Sequence, residues 1–339
     1  MNITETASRL AAFASEINQV EQLFNSEKPD GIINEAYIHN KWFTYDNVQF
    51  ALKSLAEALQ SDKIHSWLSR YSFSKDQKNI ALILAGNIPA VGFHDILCTL
   101  LSGHQAKIKL SSEDRILIPF LLGMLEKHLP KYKNQYTFED EIIKDFDAVI
   151  ATGSNNSERY FKKYFGKVPN IIRHSRNSLA ILDGTETEDE LSQLQDDIFR
   201  YFGLGCRNVS QLLVPEGYDW KAFLEIINKD RSVLNHNAYA NNLTYYTAYF
   251  SLMDENLLDG GTVLLRENIS PASPPAVLHF HNYRNEDEVQ NMILGMKDSL
   301  QCIVRKDPEH GETSFGQTQK PTIDDYADGI DTMEFLSKV

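Results

Sequence analysis

The sequence predicts an α/β protein with two lobes, each built on a doubly wound parallel sheet. Three observations carry that expectation. Short apolar runs such as Asn79–Ala85 (NIALILA) and Asp147–Thr152 (DAVIAT) have the composition of strands buried on both faces. A helical segment follows each run at once, Pro89–Leu101 after the first and one reaching Phe165 after the second. The alternation then recurs along most of the chain at the spacing of βαβ units.

The elements follow in order. Leu10, Phe13, Ile17 and Val20 recur at helical spacing and predict a helix over Thr4–Phe24. Phe50, Leu52, Leu55 and Leu59 predict a second over Val48–Leu59. After the strand–helix pair Asn79–Ala85 and Pro89–Leu101 come a strand at Ala106–Leu110 and an apolar helix at Ile116–Leu129, ended by Pro130. Ser178–Leu182 opens a new strand and Asp189–Phe202 a helix. Further strands are expected at Gln211–Val214, Thr262–Arg266, Ala276–His281 and Leu300–Val304. Asp307–Asp325, rich in Gly, Thr, Gln and Pro, reads as an ordered arm over the surface.

Composition narrows the function classes. The 339 residues contain 33 Lys and Arg against 47 Asp and Glu, a net charge of −14. That balance argues against a nucleic-acid or anionic-membrane partner. The apolar run Ile80–Leu101 is interrupted by Asn87, His94 and Asp95 and broken by Gly86 and Pro89, so no membrane span is expected. Three widely spaced cysteines form no disulfide framework, and a reducing cytoplasm is the simplest setting. The chain carries no GxSxG, HExxH, CxxC or GxxxxGK[ST] motif. No metal is expected: Asp324–Phe335 resembles a calcium loop but places Tyr326 and Phe335 where oxygen ligands are needed, and His279 with His281 lack a third ligand.

Candidate chemistry gathers at a few positions. Cys98 (DILCTLL) and Cys302 (LQCIV) lie in apolar surroundings, where a thiol acts as a small hydrophobe. Cys206 lies in GLGCRN, between glycines that allow a sharp turn and Arg207, whose charge favours a thiolate. It reads either as a nucleophile or as a structural loop cysteine. Asn87 follows a buried strand in GNIP, where its amide can donate to an oxyanion or cap the next helix. Lys109, Ser111 and Ser112 follow the second strand and can hold ribose and phosphate oxygens. Gly153 and Ser154 open a helix directly after a strand, a ready anion site.

Together the segments GNIPAVGFHDILCTLLSGHQAKIKLSSED, FDAVIATGSNNSERYF, IFRYFGLGCRNVSQLLVP and FGQTQKPTIDDYADGIDTMEFL resemble the aldehyde dehydrogenase superfamily. They are closer to its acyl-CoA reductase branch, which includes the fatty-acyl-CoA reductase of bacterial bioluminescence systems. The resemblance implies that Cys206 accepts the acyl group and that Asn87 and the Cys206 backbone N–H form the oxyanion hole. It implies that Lys109 contacts the adenosine ribose, that Gly153 and Ser154 lie against the nicotinamide nucleotide, and that Phe315 and Gly316 belong to a segment closing over the site.

Two departures refine the expectation. Aldehyde-oxidising members use a glutamate to activate water, whereas the corresponding stretch here, Arg173 to Ser178 (RHSRNS), has no carboxylate. The third residue after Lys109 is Ser112 rather than the glutamate of NAD-preferring members, which leaves room for a 2′-phosphate. The resemblance therefore implies reduction of a fatty acyl-CoA thioester to aldehyde with NADPH, NAD being the alternative cofactor. Its partners are acyl-CoA and aldehyde, with a homo-oligomer admitted. Rival readings are a CoA-dependent aldehyde dehydrogenase and a non-catalytic acyl-binding subunit. The implied domains are residues 1–176, N-terminal helices with a nucleotide-binding domain; 177–305, a catalytic domain carrying Cys206; and 306–339, an arm packing back on the lobes.

Overall fold

A computed structural model describes residues 2–24, 31–72, 76–153, 155–253, 257–309 and 311–339. The chain divides into two compact units, Met1–Ser175 with Lys320–Val339, and Arg176–Gln319.

The first unit opens with four helices, α1 (Ile3–Phe24), α2 (Ile32–His39), α3 (Tyr45–Ala58) and α4 (Ser61–Leu68). Helix α1 forms where the sequence predicts it, burying Leu10, Phe13, Ala14 and Ile17 along one stripe. The alternating region follows: β1 (Asn79–Ile83), α5 (Phe93–Leu101), β2 (Gln105–Lys109), α6 (Leu117–His128), β3 (Tyr136–Phe138), β4 (Ala148–Thr152), α7 (Asn155–Phe165) and β5 (Asn170–Arg173). The five strands run parallel in the order β3-β2-β1-β4-β5. From β1 the chain winds outward through β2 and β3, then returns to lay β4 and β5 on the other side. The strand order therefore reverses between β1 and β4, where Ile83 stands opposite Ala151. Beyond the carboxyl ends of such a strand pair lies the crevice in which open α/β sheets bind ligands.

The second unit contains β6 (Asn177–Ile181), α8 (Glu188–Phe199), β7 (Val209–Pro215), α9 (Trp220–Ile227), α10 (Asn237–Leu252), β8 (Leu257–Asp259), β9 (Leu264–Glu267), β10 (Val277–Tyr283), α11 (Glu286–Met296) and β11 (Leu300–Val304). Its sheet has the order β11-β6-β7-β10-β9-β8, parallel except for the edge pair β8–β9. Helix α8 starts at a capping box formed by Thr187 and Glu190.

The chain then returns to the first unit and ends in α12 (Thr332–Ser337). Trp67 Nε1 donates to Tyr326 Oη at 2.7 Å, Arg70 pairs with Asp324 at 2.8 Å, and a His104 ring nitrogen lies 3.0 Å from the Leu336 carbonyl. The stretch resembling a calcium loop is thus a turn whose tyrosine is built into the packing and whose Asp331 caps α12 by accepting from Glu334 N–H. Among the described residues no helix is long and apolar enough to cross a membrane, and no group of three metal-binding side chains is assembled.

Two boundaries depart from the sequence expectation. The helix after β1 begins at Phe93, not Pro89, because Ala90 adopts a left-handed φ of 57°. Helix α8 stops at Phe199, not Phe202, because Tyr201 and Phe202 turn to φ 54° and 59°. Both departures lie in loops that carry candidate site residues.

Candidate active site

In the first unit, Asn87, Lys109, Ser111, Ser112 and Gly153 all stand at the carboxyl edge of one sheet. Asn87 is exposed in the turn after β1, and Gly153 directly follows β4, so the pair flanks the reversal of strand order. Gly153 N–H donates to the Arg173 carbonyl at 3.3 Å, tying the end of β4 to that of β5. Ser154 lies outside the described residues. Lys109 ends β2, and its ammonium donates to the carbonyls of Asp140 and Glu141 at 3.4 and 3.0 Å. An ammonium has three donors, so one remains for a ligand. A small pocket beside it is lined by Leu110, Arg115, Phe138, Glu139 and Asp140.

The turn bearing Asn87 is tightly built. A Cβ on Gly86 would sit 2.6 Å from both Cβ and Oγ of Ser111, so only glycine fits against the loop after β2. Asp114, 2% exposed, accepts the Ala90 N–H at 2.8 Å and the Leu117 N–H at 3.2 Å. Burial pushes its carboxyl up to about 6. The exposed hydroxyl residue Ser112 is held by its backbone, its carbonyl lying 2.7 Å from His39 Nε2.

In the second unit, Cys206 lies in the turn between α8 and β7. Tyr201, Phe202 and Gly203 form a left-handed run, with Gly203 at φ 74°. This conformation costs a residue bearing a side chain about 1–2 kcal/mol. Asn208, 2% exposed, holds the run in place. Its Nδ2 donates to the carbonyls of Asp197, Ile198 and Arg200 at 3.1, 3.3 and 2.7 Å, and its Oδ1 accepts the Gly205 N–H at 2.9 Å. The Phe202 ring packs on His236 with centroids 4.2 Å apart. Ser178, fully buried at the start of β6, donates to the Cys206 carbonyl at 3.0 Å and accepts the Cys302 N–H at 3.1 Å.

Burial separates the three thiols as their local sequences predict. Cys98 and Cys302 are buried, whereas Cys206 is partly exposed. Desolvation pushes the Cys98 thiol well above its ordinary value, which makes it a poor nucleophile. Arg207, expected to lend its charge to Cys206, donates from Nη1 to Cys302 Sγ at 3.4 Å.

Phe315, Arg173 and His279 are all buried. Phe315, expected in a segment closing over the site, is 2% exposed within the apolar core of the second unit. The adjacent Gly316 N–H donates to Asp197 at 2.6 Å, so this segment is anchored. Arg173 is buried and pairs with Asp95 at 2.5 Å, and its other nitrogen donates to Thr332 Oγ1 at 2.9 Å. His279 is buried, with Nδ1 2.8 Å from the Ser270 carbonyl. Sequence reasoning missed Asp114, Ser178 and Asn208, which hold the candidate loops. The signal for Asp114 was an aspartate shortly before an apolar helix, a capping pattern; Ser178 and Asn208 act on groups distant in sequence or outside any helix.

Residues 16–229, more than half of the chain, match the family model described as acyl-CoA reductase (LuxC). The chain belongs to the acyl-CoA reductase family. Solved structures give the fold of this family member. A mutant of aldehyde dehydrogenase C (AldC) from Pseudomonas syringae, complexed with NAD+ and octanal, matches with a TM-score of 0.62 and 11% identity, covering 91% of this chain and 73% of that one. An aldehyde dehydrogenase from Mycobacterium tuberculosis complexed with NAD+ gives 0.61 and 13%, covering 90% and 73%. The aldehyde dehydrogenase KauB from Pseudomonas aeruginosa gives 0.61 and 11%, covering 91% and 73%. No curated protein matches the chain. This member of the acyl-CoA reductase family has the aldehyde dehydrogenase fold and is an oxidoreductase acting on acyl-CoA.

Proposed function

We propose that the chain reduces a fatty acyl-CoA thioester to aldehyde, with Cys206 as the nucleophile. The observation that carries this reading is the partial exposure of Cys206 on a strained turn pinned by Asn208 and Ser178, while the other two thiols are buried. A thiolate held on a fixed backbone meets a carbonyl without prior reorganisation, the condition under which proximity effects are large.

The Cys206 thiolate attacks the thioester carbonyl carbon, the C–S bond to CoA breaks, and the acyl group stays on the cysteine. Asn87 supplies a side-chain amide to the developing oxyanion, a contribution worth roughly 3–4 kcal/mol. After reduction, the bond between Cys206 sulfur and the substrate carbon breaks, which releases aldehyde and restores the thiolate. Arg173 to Ser178 contain no carboxylate to activate water, so the acyl-cysteine is protected from hydrolysis.

The donor set at the sheet edge fits a nicotinamide dinucleotide: the remaining donor of Lys109 and the hydroxyls of Ser111 and Ser112 suit ribose and phosphate oxygens, and Gly153, with no side chain at the end of β4, leaves room for the nicotinamide nucleotide. When bound, that cofactor supplies the reducing equivalent. Ser112, small and uncharged at the exposed position after β2, favours NADPH over NADH. Three free cysteines suit a reducing compartment such as the cytoplasm.

The test is a series of saturated acyl-CoA substrates, short to long chain, assayed with NADPH and NADH side by side. Cofactor oxidation with aldehyde formation is expected, together with an acyl adduct by intact mass that Cys206→Ala lacks. Turnover surviving in Cys206→Ala rejects the mechanism. A persistent adduct without turnover assigns the chain to acyl binding alone.

A further inference from the structure

We propose that Asp114 is a positioning residue: its carboxylate couples the turn that carries Asn87 to the loop that carries Ser111 and Ser112, so one side chain sets both. Its Oδ2 accepts the N–H of Ala90, three residues beyond Asn87, at 2.8 Å. Its Oδ1 accepts the N–H of Leu117 at the start of α6 at 3.2 Å. Helix α6 has no side-chain cap from Ile116, the residue immediately before it, so Asp114 takes over that task from two residues upstream.

One further contact ties the same two segments together, and two more hold the second segment from outside. Gly86 packs so closely on Ser111 that an added Cβ would lie 2.6 Å from its side chain and 3.1 Å from Asp114 N. Asn40 Nδ2 donates to the Glu113 carbonyl at 3.3 Å, and His39 Nε2 lies 2.7 Å from that of Ser112. Helix α2 therefore grips the second loop from outside, and that loop grips the first through Asp114. Ala90 stands at φ 57°, unfavourable for alanine, and the charge-assisted bond from its N–H opposes relaxation of the turn. Burial of Asp114 at 2% exposure keeps water from substituting for either bond.

The kinetic readout rests on the proposed function; the structural one does not. Full-length Asp114→Asn keeps the size of the side chain but, for one of the two N–H groups, replaces an acceptor with a donor. With dodecanoyl-CoA and NADPH, kcat is expected to fall about 10- to 100-fold, the scale of a small misplacement at a reacting centre. The KM for the thioester is expected to stay within about twofold, while the KM for NADPH rises severalfold. Backbone amides of residues 86–92 should exchange with deuterium about tenfold faster than in the wild type. A folded variant with wild-type kcat, both KM values unchanged and unaltered exchange overturns the proposal. If Asp114→Asn does not fold, Ala90→Gly decides. Faster exchange at 86–92 with reduced kcat supports the coupling, and wild-type behaviour rejects it. If the wild type itself reduces no acyl-CoA, the proposed function fails and deuterium exchange alone judges Asp114.

Discussion

Two turns carry the residues on which the proposed chemistry rests, and they solve one problem in different ways. The Gly86–Ala90 turn of the first unit and the Tyr201–Arg207 turn of the second both contain side-chain-bearing residues in left-handed backbone. Asp114 holds the first through a buried side chain, and Asn208, with Ser178 at the Cys206 carbonyl, holds the second. Asp114 presents two acceptors to two N–H groups; Asn208 presents donors to three carbonyls and an acceptor to one N–H. A carboxylate suits a turn whose amides point inward, and an amide suits a helix end whose carbonyls have lost their partners. The difference makes the first turn's anchor a titrating group and the second's a neutral amide.

The comparison breaks most visibly at the sulfur. Cys206→Ala should lower acyl-CoA reduction by at least about a thousandfold, since no other partly exposed thiol is present, while the thermal midpoint stays close to that of the wild type. Coupled aldehyde detection alongside calorimetry checks both halves.

Next come the anchors. Asn208→Ala leaves a buried N–H and three carbonyls near the end of α8 without that partner, an expected loss of about 2–4 kcal/mol in denaturant unfolding. Gly86→Ala forces a methyl group into Ser111 and should cost about 1–3 kcal/mol. It should also lower kcat, because the displaced turn carries Asn87.

The pH dependence sharpens the contrast. The Asp114 carboxyl is held at about 6 in the folded chain by burial, above roughly 3.9 for an unfolded aspartate. The fold therefore binds the proton more tightly than the unfolded chain does. The stability this group contributes is complete below about pH 4 and is lost as pH rises through 6. Its full size is on the order of 3 kcal/mol. Asp114→Asn should flatten that part of the stability–pH curve, whereas Asn208→Ala should shift the whole curve without changing its slope. The Asp197 carboxyl, raised to about 6 by burial beside Gly316 and Thr318, adds a slope of the same sign that survives in both variants.

Ser178→Ala should have the smallest effect, about 1 kcal/mol, with slower acyl adduct formation at Cys206 in stopped-flow mass measurements. An unchanged acylation rate would show that Asn208 alone sets the position of the sulfur.

Much of this was legible without coordinates. Short continuous apolar runs alternating with period-3.6 apolar patterns pointed to the parallel sheets, because strands covered on both faces are apolar throughout and helices bury one stripe. They could not place the edge strand β5 (Asn170–Arg173) or helix α10 (Asn237–Leu252), whose many polar and tyrosine residues form no clear apolar stripe. The choice among the thiols was also readable, because apolar neighbours in sequence usually mean apolar neighbours in space. The place of the Phe315 ring was not legible, because a short Phe–Gly pair does not reveal whether its ring faces a ligand or a core.

The sequence by itself determined the fold class, the family and Cys206 as the candidate nucleophile, since each follows from local pattern. Only the tertiary structure decided what holds the two turns. Asp114 reaches 24 positions back along the chain to Ala90, and Ser178 reaches 28 forward to Cys206. Contacts of that range arise from how strands are ordered in a sheet, which no local pattern encodes.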